Sequence, residues 1–272
     1  MQKSFTEQDT ETYYDSQDAI YSSFWDPEGS VHWGYFDEST GNDFLKACSN
    51  LNTLMSGWGK IGPDSKVLDL GCGNGTTSIR LHEQFKCEVV GIDLSGVRID
   101  NANEALAEQS AEVQAKVSFE KASATELPFE DGFFTHVWSQ ATLYHVHDQE
   151  SALKETHRVL QRDGTFIFDD LLKPQSRISE MAQKHVYERL FFDTEYSFET
   201  YQKALETVGF TVNDAKDLSD HLKMSYWCLS TMTFNRGGEH SDHYEELSYS
   251  YEQTAQAVTN RELGWGLFLC QK

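Results

Sequence analysis

The ten residues Lys66-Val-Leu-Asp-Leu-Gly-Cys-Gly-Asn-Gly75 restrict the fold more than any other stretch of the chain. Val67, Leu68 and Leu70 form a short apolar run without helical period, which suits a buried strand. Glycines at 71, 73 and 75 let the backbone turn sharply and approach a ligand closely. The pattern predicts a helix over Thr76–Gln84, whose first N–H groups lack intrahelical partners and favour a negative group. A second strand, Cys87-Glu-Val-Val-Gly-Ile-Asp-Leu94, closes on Asp93. On a neighbouring strand, that carboxylate stands where a ribose hydroxyl can donate to it.

Strand and helix patterns alternate from there. Strands are predicted at Lys66–Leu70, Glu88–Asp93, Val117–Lys121, Phe134–Ser139 and Gly164–Asp169. Helices are predicted at Thr76–Gln84, Gly96–Ser110 and Gln149–Leu160. Short joins between them imply a mostly parallel sheet wrapped by helices, with ligands at the carboxyl ends of the strands. Residues 1–62 read as a helical cap, with helices over Thr10–Phe24, where Thr12 and Asp15 suggest a cap, and Asn42–Trp58. Residues 63–272 read as the main domain, with 173–195 as a lid inserted after the fifth strand. Downstream, a helix is predicted over Ser197–Gly209, a strand over Phe210–Leu218 and an aromatic-rich helix over His221–Asn235. A polar, acidic stretch then leads to a last strand near Trp265–Cys270.

Four segments in order resemble the class I S-adenosylmethionine-dependent methyltransferases. They are the glycine turn with Asp69 inside its strand, Ser123-Ala-Thr-Glu-Leu-Pro-Phe129, Phe134-Thr-His-Val-Trp-Ser-Gln140, and the helix–turn–strand Ala152–Phe168. The resemblance implies a Rossmann-like α/β fold that ends in an antiparallel hairpin, here Phe210–Leu218 with Trp265–Cys270. It also implies S-adenosyl-L-methionine as cofactor, released as S-adenosyl-L-homocysteine. This ligand carries no phosphate, so the loop Gly71, Gly73 and Asn74 would cradle its methionine portion. Asp69, or the backbone around Gly71, would receive the ammonium group, and Asp93 both ribose hydroxyls. Leu94 would flank the adenine, while Arg98 reads more readily as solvated helix surface. Many relatives place an aspartate at position 123 to accept from the adenine amino group. Ser123 can accept only without charge, and Ala124 would offer its N–H. Ser139 and Gln140 would end the fourth strand beside the sulfonium.

Two segments, Tyr13–Gly34 and Trp138–Val146, narrow the resemblance to sarcosine/dimethylglycine and phosphoethanolamine N-methyltransferases. In those relatives a tyrosine pairs with a histidine after the fourth strand; aligned by motif, these are Tyr21 and His145. A neutral imidazole can take a proton from an amine or hydroxyl nucleophile. Relatives usually carry Asp where this chain has Ala141, so a partner for a cationic amine is missing. The expected acceptor is a small amine, with S-, O- or C-methylation, or a catalytically silent cofactor-binding protein, as alternatives. The glycine spacing and the lack of a Ser–Tyr-x-x-x-Lys run disfavour a nicotinamide enzyme. Trp25 and Trp33 suit either a cation-binding cage or core packing, and Phe234 suits the core. Tyr187, Arg189 and Phe192 of the lid are further candidates for acceptor contact.

Composition removes other classes. The formal net charge of −22 over 272 residues repels phosphate backbones and anionic membranes, so no nucleic-acid partner is expected. The five cysteines, Cys48, Cys72, Cys87, Cys228 and Cys270, show no paired spacing. Reduced thiols in a cytoplasm are expected, with no metal site. The first residues carry no apolar run, and no window nears the ~18 apolar residues of a membrane span, so neither signal peptide nor span is expected.

Overall fold

Strand β1 (Lys66–Leu70) runs through the middle of the sheet, with Val67, Leu68 and Leu70 buried. The computed structural model describes residues 5–25, 32–192, 194–236 and 241–272, without the side chains of 17–24 and 241. Among the described residues seven strands form one sheet in the order β3-β2-β1-β4-β5-β7-β6. The others are β2 (Glu88–Asp93), β3 (Val117–Lys121), β4 (Phe134–Gln140), β5 (Leu160–Leu172), β6 (Thr211–Asp217) and β7 (Gly264–Gln271). All pairs are parallel except those of β7, which is antiparallel to both β5 and β6. This is the Rossmann-like arrangement with a terminal hairpin. The chain winds outward from β1 to β3 and then returns to β4 on the other side of β1, which opens a crevice at the carboxyl ends of β1 and β4.

Helices α1 (Glu7–Phe24) and α2 (Phe44–Gly59) precede the sheet. Helices α3 (Thr76–Phe85), α4 (Gly96–Ala107), the single turn α5 (Ala111–Gln114) and α6 (Gln149–Val159) lie between its parallel strands. Residues 173–195 hold α7 (Glu180–Ala182), continued by a π-helical turn over Gln183–Glu188. Helix α8 (Phe198–Val208) leads into β6, and α9 (Ser219–Phe234) and α10 (Ser241–Thr259) lie between β6 and β7. No helix among the described residues is long and apolar enough to cross a membrane.

Several expectations need correction. Helix α1 starts one turn earlier than predicted because Thr6 and Asp9, not Thr12 and Asp15, form its reciprocal cap. The Thr12 hydroxyl instead donates to the Gln8 carbonyl, at 2.7 Å. The polar stretch before β7 is helix α10. Its Tyr244, Ser248, Tyr251, Ala255 and Val258 recur at helical spacing and are buried, but interleaved serines and glutamates dilute the apolar stripe. Phe234, expected in the core, is 69% exposed at the end of α9.

Candidate cofactor and acceptor site

The crevice is a cavity of roughly 1350 Å³, counted out to its mouth, with α1 as its roof. Its floor is the glycine turn, pinned where Gly71 N and Cys72 N both donate to the Ile92 carbonyl, at 2.8 and 2.9 Å. Gly71 (φ 82°) leaves no room for a side chain, since a Cβ there would lie 2.2 Å from Thr142 Oγ1. Gly73 faces open space instead, with Arg98 3.8 Å from where its Cβ would be.

Asp93 organises the middle of the cavity. Its Oδ2 accepts from Gly73 N and its Oδ1 from Ser95 N, both at 2.9 Å. A carboxylate offers about four acceptor positions, so each oxygen retains one for a hydroxyl donor. Asp69 lies deeper and buried. Burial pushes its carboxyl up to about 7, opposed by the Ser78 hydroxyl, 2.5 Å from Oδ2, and aided by the charge of Asp93. Beyond Asp93, Leu94, Ala122, Ser123 and Ala124 line the far wall. Gln140 is held by Trp138 Nε1, which donates to its Oε1 at 3.0 Å, and by Asn52 Oδ1, which accepts from its Nε2 at 2.9 Å.

Two expected residues do not line the cavity. Ser139 is fully buried and its hydroxyl donates to the Leu70 carbonyl at 2.9 Å. Asn74 turns toward α4, where its Oδ1 accepts from Asn101 Nδ2 at 3.3 Å. Arg98, read as solvated surface, is buried against the cavity with its guanidinium 4.0 Å from the centre of the Tyr14 ring.

The roof brings residues that sequence reasoning missed. Glu7, Thr10, Glu11 and Tyr14 fall on one face of α1 and all line the cavity. The Tyr14 hydroxyl is hydrogen-bonded to His145 Nε2. The histidine therefore has a tyrosine partner, but it is Tyr14; Tyr21 lies two turns further along α1, and its side chain falls outside the described residues. The helical spacing of 7, 10, 11 and 14 was the one available signal.

His145 ends a 3₁₀ turn after β4 and is buried. Burial pushes its pKa down to about 3; the Phe191 and Leu190 carbonyls oppose this and the Arg98 charge adds to it, so the ring is neutral. The turn is braced by Tyr144 N donating to Asp170 Oδ1 at 3.0 Å and Gln149 Nε2 to the Leu143 carbonyl at 2.9 Å. Ala141 lines the cavity in the left-handed region (φ 52°), its N–H donating to the Asp169 carbonyl at 3.2 Å. Past His145, the walls are Trp25, Trp33, Tyr144 and Tyr226, with Trp33 centred 6.2 Å from each tyrosine ring. Of residues 173–195, Leu190 reaches the cavity. Tyr187 donates instead to the Glu262 carbonyl at 2.6 Å, Arg189 Nε to the His185 carbonyl at 2.8 Å, and Phe192 is core.

The charges fit a cationic nucleoside without phosphates. Among the described residues, the carboxylates of Glu7, Glu11 and Asp93 line the cavity against one arginine, Arg98, with the raised carboxyl of Asp69 beneath them. A pyrophosphate would meet that field as repulsion, whereas an ammonium and a sulfonium are drawn to it.

Comparison with known proteins agrees. A methyltransferase-domain family matches residues 68–168. The sarcosine/dimethylglycine N-methyltransferase of Halorhodospira halochloris is 27% identical over 96% of this chain and 94% of its own. The (+)-O-methylkolavelool synthase of Herpetosiphon aurantiacus is 29% identical over 79% of this chain and 77% of its own. Among solved structures, a cyclopropane synthase from Mycobacterium tuberculosis superposes with a TM-score of 0.86 at 17% identity, over 99% of both chains.

Proposed function

Since this chain is a class I S-adenosylmethionine-dependent methyltransferase acting on a small molecule, we propose that its acceptor is an amine whose nitrogen enters the aromatic end of the cavity. The observation that carries this reading is the enclosure of that end by Trp25, Trp33, Tyr144 and Tyr226 beside a neutral His145. Aromatic faces attract a methylammonium group by roughly 0.5–2 kcal/mol each. That attraction grows as positive charge develops on the nitrogen, so it favours transfer over ground-state binding.

Asp69, Gly71 and Gly73 would hold the methionine end of the cofactor, Asp93 the ribose, Leu94, Ser123 and Ala124 the adenine, and Gln140 the neighbourhood of the sulfonium. Bound there, the cofactor supplies an electrophilic methyl group. The neutral ring of His145 sets no charge against a cationic acceptor. For an acceptor that bears a proton, Tyr14 Oη takes it while its own hydroxyl proton passes to His145 Nε2. Residues 1–62 act as the cap and 173–195 as the lid. The five thiols, free of disulfides, support a cytoplasmic setting, and the acidic balance supports a metabolite rather than a nucleic acid as acceptor.

The test is formation of S-adenosylhomocysteine with a panel of methylated amines, including sarcosine and dimethylglycine, set beside phenols and aliphatic alcohols. Turnover with amines alone is expected. Turnover confined to hydroxyl compounds would overturn the amine reading. It would favour O-methylation, which is supported by Ala141 and by the lack of any carboxylate at the aromatic end among the described residues.

A further inference from the structure

We propose that Glu7, on the cap helix, supplies the carboxylate that receives the adenine amino group, and so sets the base specificity of the cofactor site. This rests on the cofactor reading above. With Asp93 at the ribose and the glycine turn at the methionine end, the base would fall beyond Asp93, where Leu94 and Ala122–Ala124 line the cavity. An adenine edge there presents two amino N–H donors, and the wall itself offers no charged acceptor. Ser123 has only a hydroxyl, and that hydroxyl is engaged: it donates to Glu7 Oε1 at 2.6 Å and accepts from Thr125 N at 3.1 Å.

Glu7 occupies the missing place. It lines the cavity, half-buried, and its Oε1 is fixed by the Ser123 and Thr125 hydroxyls, at 2.6 and 3.3 Å. Its Oε2 makes no hydrogen bond among the described residues. One oxygen is thus clamped to the wall and the other remains able to accept. The register of α1 is set further along by Glu11, which pairs with Lys121 at 2.5 Å, and by Asp15, which accepts from Ser95 Oγ at 2.5 Å. These contacts fix which α1 residue faces the base. The carboxylate function is thereby split: Ser123 holds it in place and the cap brings it, so full recognition of the base requires the cap to be seated.

Titration calorimetry with S-adenosylhomocysteine and S-inosylhomocysteine tests this, because the inosyl ligand replaces the amino group with a carbonyl. The wild-type chain is expected to prefer the adenosyl ligand by roughly tenfold or more, the range for a hydrogen bond to a charged group. In Glu7→Ala the preference should fall to within about threefold, through loss on the adenosyl ligand. Glu7→Gln keeps the bond to Ser123 and can offer an amide N–H to the carbonyl, so it should also narrow the preference. An unchanged preference in Glu7→Ala, or equal weakening of both ligands, would reduce Glu7 to a latch for α1 and overturn the proposal. Equal wild-type affinity for the two ligands would overturn it while sparing the cofactor reading. Binding of neither ligand would remove both.

Discussion

The Tyr14 hydroxyl and His145 Nε2 share a hydrogen bond that joins the cap helix to the turn after β4, across 131 residues of sequence. Tyr14→Phe deletes only the hydroxyl and should lower turnover roughly 10–100-fold, and His145→Ala should cost about 10²–10⁴-fold, the span of general acid–base contributions. Affinity for S-adenosylhomocysteine should move less than about threefold in either variant. Single-turnover rates beside calorimetry decide this. Unaltered turnover in both variants would remove the pair from the chemistry.

Asp93 serves the loop and the ligand together, because its oxygens already accept from Gly73 N and Ser95 N. Asp93→Ala should weaken S-adenosylhomocysteine binding by about 1–3 kcal/mol. Asp93→Asn keeps one acceptor and should lose less. A thermal-shift titration ranks the three proteins, and equal midpoints with ligand would contradict the assignment of Asp93 to the ribose.

Gly71→Ala meets two obstacles, a left-handed backbone and the Thr142 side chain 2.2 Å from the new Cβ. Denaturant unfolding should show a loss of roughly 2–4 kcal/mol. Adding Thr142→Ala should recover part of it, since the clash goes but the backbone cost of about 1–2 kcal/mol stays. Full recovery would mean that the backbone is not strained there.

Asp169 is buried, with Oδ1 accepting from Trp265 Nε1 at 2.8 Å and Oδ2 without a partner among the described residues, and burial pushes its carboxyl up to about 7. A raised acid binds its proton more tightly folded than unfolded. Its contribution to stability is therefore complete below the ordinary value of 3.8 and is lost as pH rises through about 7. Relative to Asp169→Asn, which does not titrate, the wild-type protein should lose at most about 1.4 kcal/mol per pH unit across that window. His145 acts in the opposite sense: its depressed value costs stability as pH falls below about 6.5. Unfolding midpoints of both proteins from pH 5 to 8 give the difference, and a gap that does not widen with pH would refute the raised carboxyl.

The sequence by itself determined the β1–glycine turn–α3 unit, the Asp93 that closes β2 and the alternation that sets β1 and β4 side by side. Each of these is written in local period, in glycine's freedom at positive φ, and in the short joins of parallel crossovers. The tertiary structure alone decided which tyrosine of the cap meets His145, that Arg98 turns inward beneath Tyr14, and that Glu7 arrives beside Ser123. Those outcomes depend on the rotation and axial register of α1 as it docks, set by contacts such as Glu11 with Lys121 and Asp15 with Ser95 that link residues 110 and 80 positions apart. A helix's own pattern fixes which residues share a face; only the partner surface fixes where that face lands. Helix α10 was obscured for a related reason, since its buried stripe mixes serine with tyrosine and becomes apolar only when Ser248 finds Ser230 on α9.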